Sequence, residues 1–194
     1  MVKEYQHEFV VVNDGSTDHT GAILRALKNR VPLKIIDRPV GDNGIGKSIK
    51  SGLLAAAGDF VIIVMADSSD DPRDVLWMMQ IAQKQDVDAV YGTRFAREGK
   101  LINYPPLKLI VNRLFNFLAA FLLKIPQYDL SNAFKLYRRE VISSLILDSD
   151  SFDITIELSV KVWLHAKRKI AVIPNKWYGR RKGLPKWKIF REGI

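Results

Sequence analysis

The stretch Phe9-Val10-Val11-Val12-Asn13-Asp14-Gly15-Ser16-Thr17-Asp18 decides how the rest of the chain is read. A run of apolar, β-branched residues predicts a strand over residues 8–13, and the polar Asn/Asp/Gly/Ser run behind it is turn chemistry. Ile23, Leu24 and Leu27 then share one face of a helix over 19–29. Pro32 breaks that helix, and residues 33–37 read as a second strand. The cycle repeats: a loop over 41–46, a helix over 47–57 closed by Gly58, and a continuous apolar run over 60–65. An acidic loop over 67–71, a helix over 72–84 opened by Pro72 and a strand over 88–93 complete the pattern. Strand alternating with helix predicts a parallel α/β sheet.

The second half has a different rhythm. A long amphipathic segment over 105–124 is followed by a short strand near 133–137, a helix near 152–166 and a strand over 169–173. With 194 residues and 47% hydrophobic content the chain is long enough for one cored domain. We read residues 1–160 as its body and 161–194 as a basic, aromatic segment of the same domain. There is no cysteine, which excludes disulfides, thiolate zinc sites and cysteine nucleophiles. His7, His19 and His165 are too scattered for a histidine metal cluster, so any metal must be a hard cation on oxygen ligands.

The net charge of +9 is concentrated at one end. Residues 161–194 carry eleven lysines and arginines against Glu192 alone, a net of +10 that leaves −1 for residues 1–160. Trp163, Trp177, Tyr178, Trp187 and Phe190 interleave with these charges, a mixture suited to an anionic lipid surface. Base stacking on nucleic acid is the rival use of such residues. Residues 1–8 are polar, which predicts no secretory leader, and Lys108, Arg113 and Lys124 interrupt the apolar stretch at 107–125, which predicts a segment lying on a membrane rather than crossing it.

Ligands of parallel α/β sheets bind at the carboxyl ends of the strands. Three acidic loops fall there: Asp14 and Asp18, Asp37 and Asp42, and Asp67, Asp70 and Asp71. Carboxylates so placed either hold a cation that bridges phosphate oxygens or cap the following helix, as expected of Asp71 before Pro72. Gly41-Asp42-Asn43-Gly44-Ile45-Gly46-Lys47-Ser48 also satisfies the phosphate-loop pattern G-x-x-x-x-G-K-[ST], although Arg38-Pro39-Val40 separates it from the preceding strand.

Several motifs in order carry a resemblance. Val10 to Thr20 is similar to the V-V-D-D-G-S-x-D-x-T turn of the inverting glycosyltransferases with the GT-A fold, glycosyltransferase family 2. Asn43-Gly44-Ile45-Gly46-Lys47 resembles their N-x-G-K-G region, and Ala57-Gly58-Asp59-Phe60-Val61 with Met65-Ala66-Asp67 their A-x-G-D-x-V…D-A-D strand. Gly92-Thr93-Arg94-Phe95 resembles G-T/S-R-Y/F, and residues 129–139 resemble D-L-T-G-S-F-R-L-Y-R-R. The latter block, with Arg180-Arg181-Lys182-Gly183-Leu184-Pro185-Lys186, resembles dolichol-phosphate mannose synthases and related polyprenyl-phosphate glycosyltransferases.

The resemblance implies a Rossmann-like GT-A nucleotide-diphospho-sugar transferase fold, lacking its first strand and P-x-Y-N-E loop. It implies transfer with inversion from a nucleotide-sugar donor, of the GDP-mannose or UDP-glucose type, to a polyprenyl or dolichyl phosphate. Asn13, Asp14 and Lys47 would bind the donor, and Asp67 with Ser69 a divalent cation, Mg2+ or Mn2+. Arg94, Lys108, Lys135 and Arg180 would bind the acceptor phosphate, with Asp67, Arg94 and Arg180 forming the catalytic set. Met65 replaces the first Asp of the D-A-D motif, and Lys135 stands where the family has Arg. The expected setting is the cytoplasmic face of a membrane, peripherally bound, with no nucleic acid and an unspecified oligomeric state. Two alternatives stand beside it: a phosphate-loop NTPase, and a non-catalytic module that docks on anionic membrane or nucleic acid through its basic tail.

Overall fold

The structure, a computed structural model, describes residues 5–102, 104, 106–166 and 169–179. The first half alternates as expected: β1 (Phe9–Asp14), α1 (Thr20–Lys28), β2 (Leu33–Arg38), α2 (Ile45–Ala55), β3 (Phe60–Ile62), α3 (Pro72–Gln85) and β4 (Ala89–Thr93). Then come β5 (Lys100–Ile102), α4 (Pro106–Leu122), β6 (Lys135–Arg138), α5 (Arg139–Ser143), α6 (Ile154–His165), β7 (Ile170–Pro174) and β8 (Lys176–Tyr178).

The strands do not form one parallel sheet. β1 and β2 pair in parallel, with Phe9 opposite Leu33 and Asp14 opposite Arg38. A second sheet has the order β3-β6-β4-β7, and β5 and β8 make a small parallel pair. β6 lies between two strands of the first half and runs antiparallel to both, while β4 and β7 are parallel. The local reason is that Leu136 and Tyr137 are each apolar and fully buried, one on each sheet face, so β6 fits between β3 and β4 where a strand must be covered on both sides. The sheets are open: β1 and β3 are not hydrogen-bonded to one another.

Alternation along β4 sorts the core. Ala89 and Tyr91 face Ile49 of α2 and Ile154, Leu158 and Val162 of α6. Val90, one residue on, faces Met78 and Ala82 of α3 together with Leu136, Ala171 and Ile173. Tyr91 and Tyr137 meet edge to face at 6.0 Å, and the Tyr91 hydroxyl donates to the Ser159 carbonyl at 2.8 Å. Such an aromatic pair adds about 0.5–1.5 kcal/mol beyond its buried area. α2 joins the two larger sheets. A Cβ on Gly52 would sit 3.5 Å from Val12 of β1, while Ile45, Ile49 and Leu53 pack with Val61, Ile63 and Tyr137.

α4 stands apart. Asn116 and Ala120 are buried on one narrow stripe, with Ala120 packed against Ile125 and Leu130. Leu107, Ile110, Leu114, Phe117, Phe121 and Leu122 are exposed around the remainder. Among the described residues no helix is long and apolar enough to cross a membrane.

Candidate active site

The strand ends carry two groups of polar side chains. At the ends of β1 and β2, the Asn13 amide donates to Asp37 at 2.7 Å. Asp14 accepts from Arg38 Nε at 2.9 Å and from the Gly44 amide at 2.9 Å. Arg38 Nη2 reaches Asp42 at 2.8 Å, and Asp42 is also paired with Lys47. The Lys47 ammonium, bonded to it, holds Asp42 below the usual carboxylate range. The structure thus brings Asn13, Asp14 and Lys47 together, but through Arg38 and Asp42. The buried Asn13 Oδ1 has no hydrogen-bond partner among the described residues.

The same contacts correct the NTPase expectation. A phosphate loop cradles its ligand with loop amides. Here the Gly44 amide is taken by the Asp14 carboxylate and the Gly46 amide by the Asp150 carbonyl at 3.0 Å. A Cβ on Gly46 would fall 2.4 Å from the Asp150 backbone, so the helix start is packed against chain rather than open to a ligand. The eight-residue match is coincidental in structure.

The second group begins in the loop after β3. Asp67 accepts from the Ser69 amide at 3.1 Å, and Ser68 turns the chain at φ 59°. Ser69, Asp70 and Asp71 are buried. Asp71 caps α3, as expected, accepting from the Arg73 amide at 3.0 Å, and the Arg73 side chain bonded to it brings its carboxyl down to about 2. β8 stitches the loop in place, with the Tyr178 amide donating to the Ser69 carbonyl at 2.8 Å and Asp70 bridged to Trp177. Burial pushes the Asp70 carboxyl up to about 6, and its Oδ2 has no hydrogen-bond partner among the described residues. Hard oxygen donors and an orphaned buried carboxylate oxygen suit a divalent cation. Among the described residues no three acidic or histidine side chains are grouped to hold one unaided.

Beside that loop lies Arg94. Its Nε and Nη2 form a fork with Asp129 at 3.0 and 2.6 Å, and Nη2 also approaches Ser131 Oγ at 3.3 Å. The Asn116 amide of α4 donates to the same Ser131 oxygen at 2.9 Å. Asp129 is fully buried and was quoted in the sequence motif without a task. Its partner lies 35 residues away, so local pattern carries no signal for the pair.

Lys135 is placed differently from the expectation of a phosphate contact. It is wholly buried, and its ammonium donates to the Leu130 carbonyl and Ser159 Oγ, each at 2.8 Å, and to the Asn132 carbonyl. Burial pushes it down to about 7. It braces the 130–132 loop from beneath. The Lys108 side chain and Arg180 lie outside the described residues, as do Arg181, Lys182, Lys186 and Lys188.

A four-stranded mixed sheet flanked by helices, with carboxylates at its strand ends, defines a GT-A-like α/β transferase fold, and solved structures agree. Glucosyl-3-phosphoglycerate synthase of Mycobacterium tuberculosis superposes with a TM-score of 0.65 at 19% identity, over 90% of this chain and 62% of that one. TarS of S. aureus, residues 1–349 in complex with UDP, gives 0.63 at 22% identity, over 89% and 50%. The sequence profile described as "Glycosyl transferase family 2" matches residues 2–146, and the chain belongs to that family. It is 27% identical over 186 residues to a dolichol-phosphate mannosyltransferase of Pyrococcus furiosus, covering 94% of this chain and 51% of the relative. It is 25% identical over 188 residues to the polyprenol monophosphomannose synthase of Mycolicibacterium smegmatis, covering 93% and 70%. The chain therefore spans about half the length of the first of these relatives.

Proposed function

We propose that the chain transfers a hexose, with inversion, from a nucleotide-diphosphate sugar to a polyprenyl or dolichyl phosphate at a membrane surface. One observation carries the reading. α4, apolar around most of its circumference, is tied through Asn116 and Ser131 to Arg94, and Arg94 adjoins the carboxylate loop. An amphiphilic acceptor needs that adjacency, with its tail along an apolar surface and its phosphate at a cationic site. The names of the two relatives supply the acceptor class and the mannosyl group.

A phosphate monoester is largely ionised near neutral pH, so the nucleophile needs no histidine or carboxylate base, only cations that hold it in line. Lys108 and Arg180 take that part together with Arg94, which has Nε and Nη2 engaged by Asp129 and offers the phosphate its Nη1. Asp67 and Ser69 hold the divalent cation, Mg2+ or Mn2+, which when bound neutralises the leaving diphosphate. A structural neighbour, the M. tuberculosis synthase, is recorded in complex with Mn2+ and UDP. Asn13 and Asp14 face the donor nucleoside. Peripheral attachment to the cytoplasmic face belongs to the same reading.

The test offers the chain GDP-mannose or UDP-glucose, labelled in the sugar, with polyprenyl phosphate in vesicles and Mn2+. Label in the lipid phase supports the reading. Transfer only to water-soluble acceptors, or donor binding without transfer, overturns it, the latter in favour of a non-catalytic module.

A further inference from the structure

Asp70 has no part in that chemistry, yet its setting calls for a partner. The residue is 8% exposed, and its Oδ2 is buried without a hydrogen-bond donor among the described residues. The carboxylate accepts a hydrogen bond from the Met65 backbone, which anchors it three residues beyond the end of β3. Asp67 and Asp74 add negative charge around it. Arg94 is the nearby cation, but its fork is committed to Asp129. A buried carboxylate oxygen among like charges, with no donor, is what a positive ion would relieve.

The identity of residue 65 sharpens the point. A thioether is a poor ligand for a hard cation, so Met65 cannot serve where the family motif has its first Asp. The loop then doubles back, with Ser68 at positive φ and Ser69 and Asp70 pinned to β8, and delivers the Asp70 carboxylate to the amide of that same residue. We infer that Asp70 takes the ligand place that Met65 leaves open, so that Asp67 and Asp70 together hold the divalent cation against the donor diphosphate. The inference rests on the transferase reading above and deepens it. Two carboxylates beside the Ser69 hydroxyl would suit a small cation that keeps several waters.

The experiment titrates Mn2+ into the full chain in the presence of UDP or GDP and follows the free Mn2+ signal by electron paramagnetic resonance. Thermal melting without metal serves as a folding control. Asp67→Asn and Asp70→Asn should each weaken Mn2+ binding by about tenfold or more. Without metal, Asp70→Asn should melt no lower than the wild type, because it removes a buried charge. Met65→Asp added to Asp70→Asn should restore Mn2+ affinity. Asp70→Ser is the second neutral variant if Asn at this position prevents folding. Should Asp67→Asn lose Mn2+ while Asp70→Asn keeps wild-type affinity, Asp70 is not a ligand and the transferase reading stands. Should neither substitution change Mn2+ binding, the cation site at this loop falls, and this inference with it.

Discussion

Arg94 and Asp129 meet as a two-pronged ion pair inside the protein, with Nε to Oδ2 at 3.0 Å and Nη2 to Oδ1 at 2.6 Å. Asp129 also accepts from the Arg94 backbone amide at 2.8 Å, so one carboxylate fixes both ends of the residue. Removing one member of a buried pair strands the other charge. Asp129→Asn should therefore cost about 3–5 kcal/mol in urea denaturation. Asp129→Leu combined with Arg94→Met should cost less than the sum of the single changes. Strict additivity of the two would show that the pair does not act as a unit.

Lys47 separates the transferase from the NTPase. Its ammonium is paired with Asp42 on the surface rather than held above a ring of loop amides. Lys47→Ala should leave Mn2+-dependent binding of UDP or GDP within about fivefold of wild type by calorimetry, the scale of one exposed ion pair. A loss of several hundredfold would reinstate a phosphate-gripping lysine.

Glu157 governs part of the acid response. Burial alone pushes its carboxyl up, but the Asp148 and Ser149 amides, each at 2.8 Å, and the Lys161 ammonium outweigh burial and bring it down to about 2. A depressed folded pKa contributes stability that is complete above the unfolded value of about 4.5 and is lost as pH falls through about 2. Glu157→Gln should cost about 1–2 kcal/mol at neutral pH, allowing for solvent screening, and the gap to wild type should close as pH approaches 2. Melting curves between pH 2 and 7 check this, and a constant gap would refute it.

The proposed membrane attachment would rest on α4 and on the basic segment at 161–194. The protein should sediment with anionic vesicles at low salt, each Lys or Arg near the surface adding about 1 kcal/mol. Neutralising Arg180, Arg181, Lys182, Lys186 and Lys188 together should release it. Leu114→Glu with Phe121→Glu should weaken the attachment that remains at high salt, since both side chains are exposed on α4. Equal binding to neutral and anionic vesicles, insensitive to salt, would remove the electrostatic part.

Much of this architecture was legible in residue order alone. The first four strands and three helices follow hydrophobic period and turn chemistry, both local properties, and they lie within a few residues of expectation. The Asp71 cap was legible for the same reason, since the capped amide is two residues away. What escaped depends on partners distant in sequence. Lys176-Trp177-Tyr178 reads as part of a basic tail, yet it is a strand because Lys100-Leu101-Ile102 supplies its edge. Lys135 reads as a ligand-facing cation, yet two carbonyls and the Ser159 hydroxyl make burial tolerable. Arg94 was legible as a motif residue, but its carboxylate partner, 35 residues away, was not. Asp70 was noticed as one acid among three, and only its orphaned oxygen distinguishes it from its neighbours.

The division between the sheets has a dynamic consequence. Every residue of β4 is buried, whereas no residue of β1 or α1 is, and the β1–β2 pair leans on the rest of the protein chiefly through α2. Regions with few buried contacts open at lower free energy than a fully covered strand. Amide hydrogens of β1 and β2 should thus exchange with solvent well before those of β4, β6 and β7, as a separate cooperative unit. Asn13 and Asp14 sit on that looser unit and Arg94 on the firmer one, so a ligand spanning both would act as a clasp and slow exchange in β1 far more than in β4.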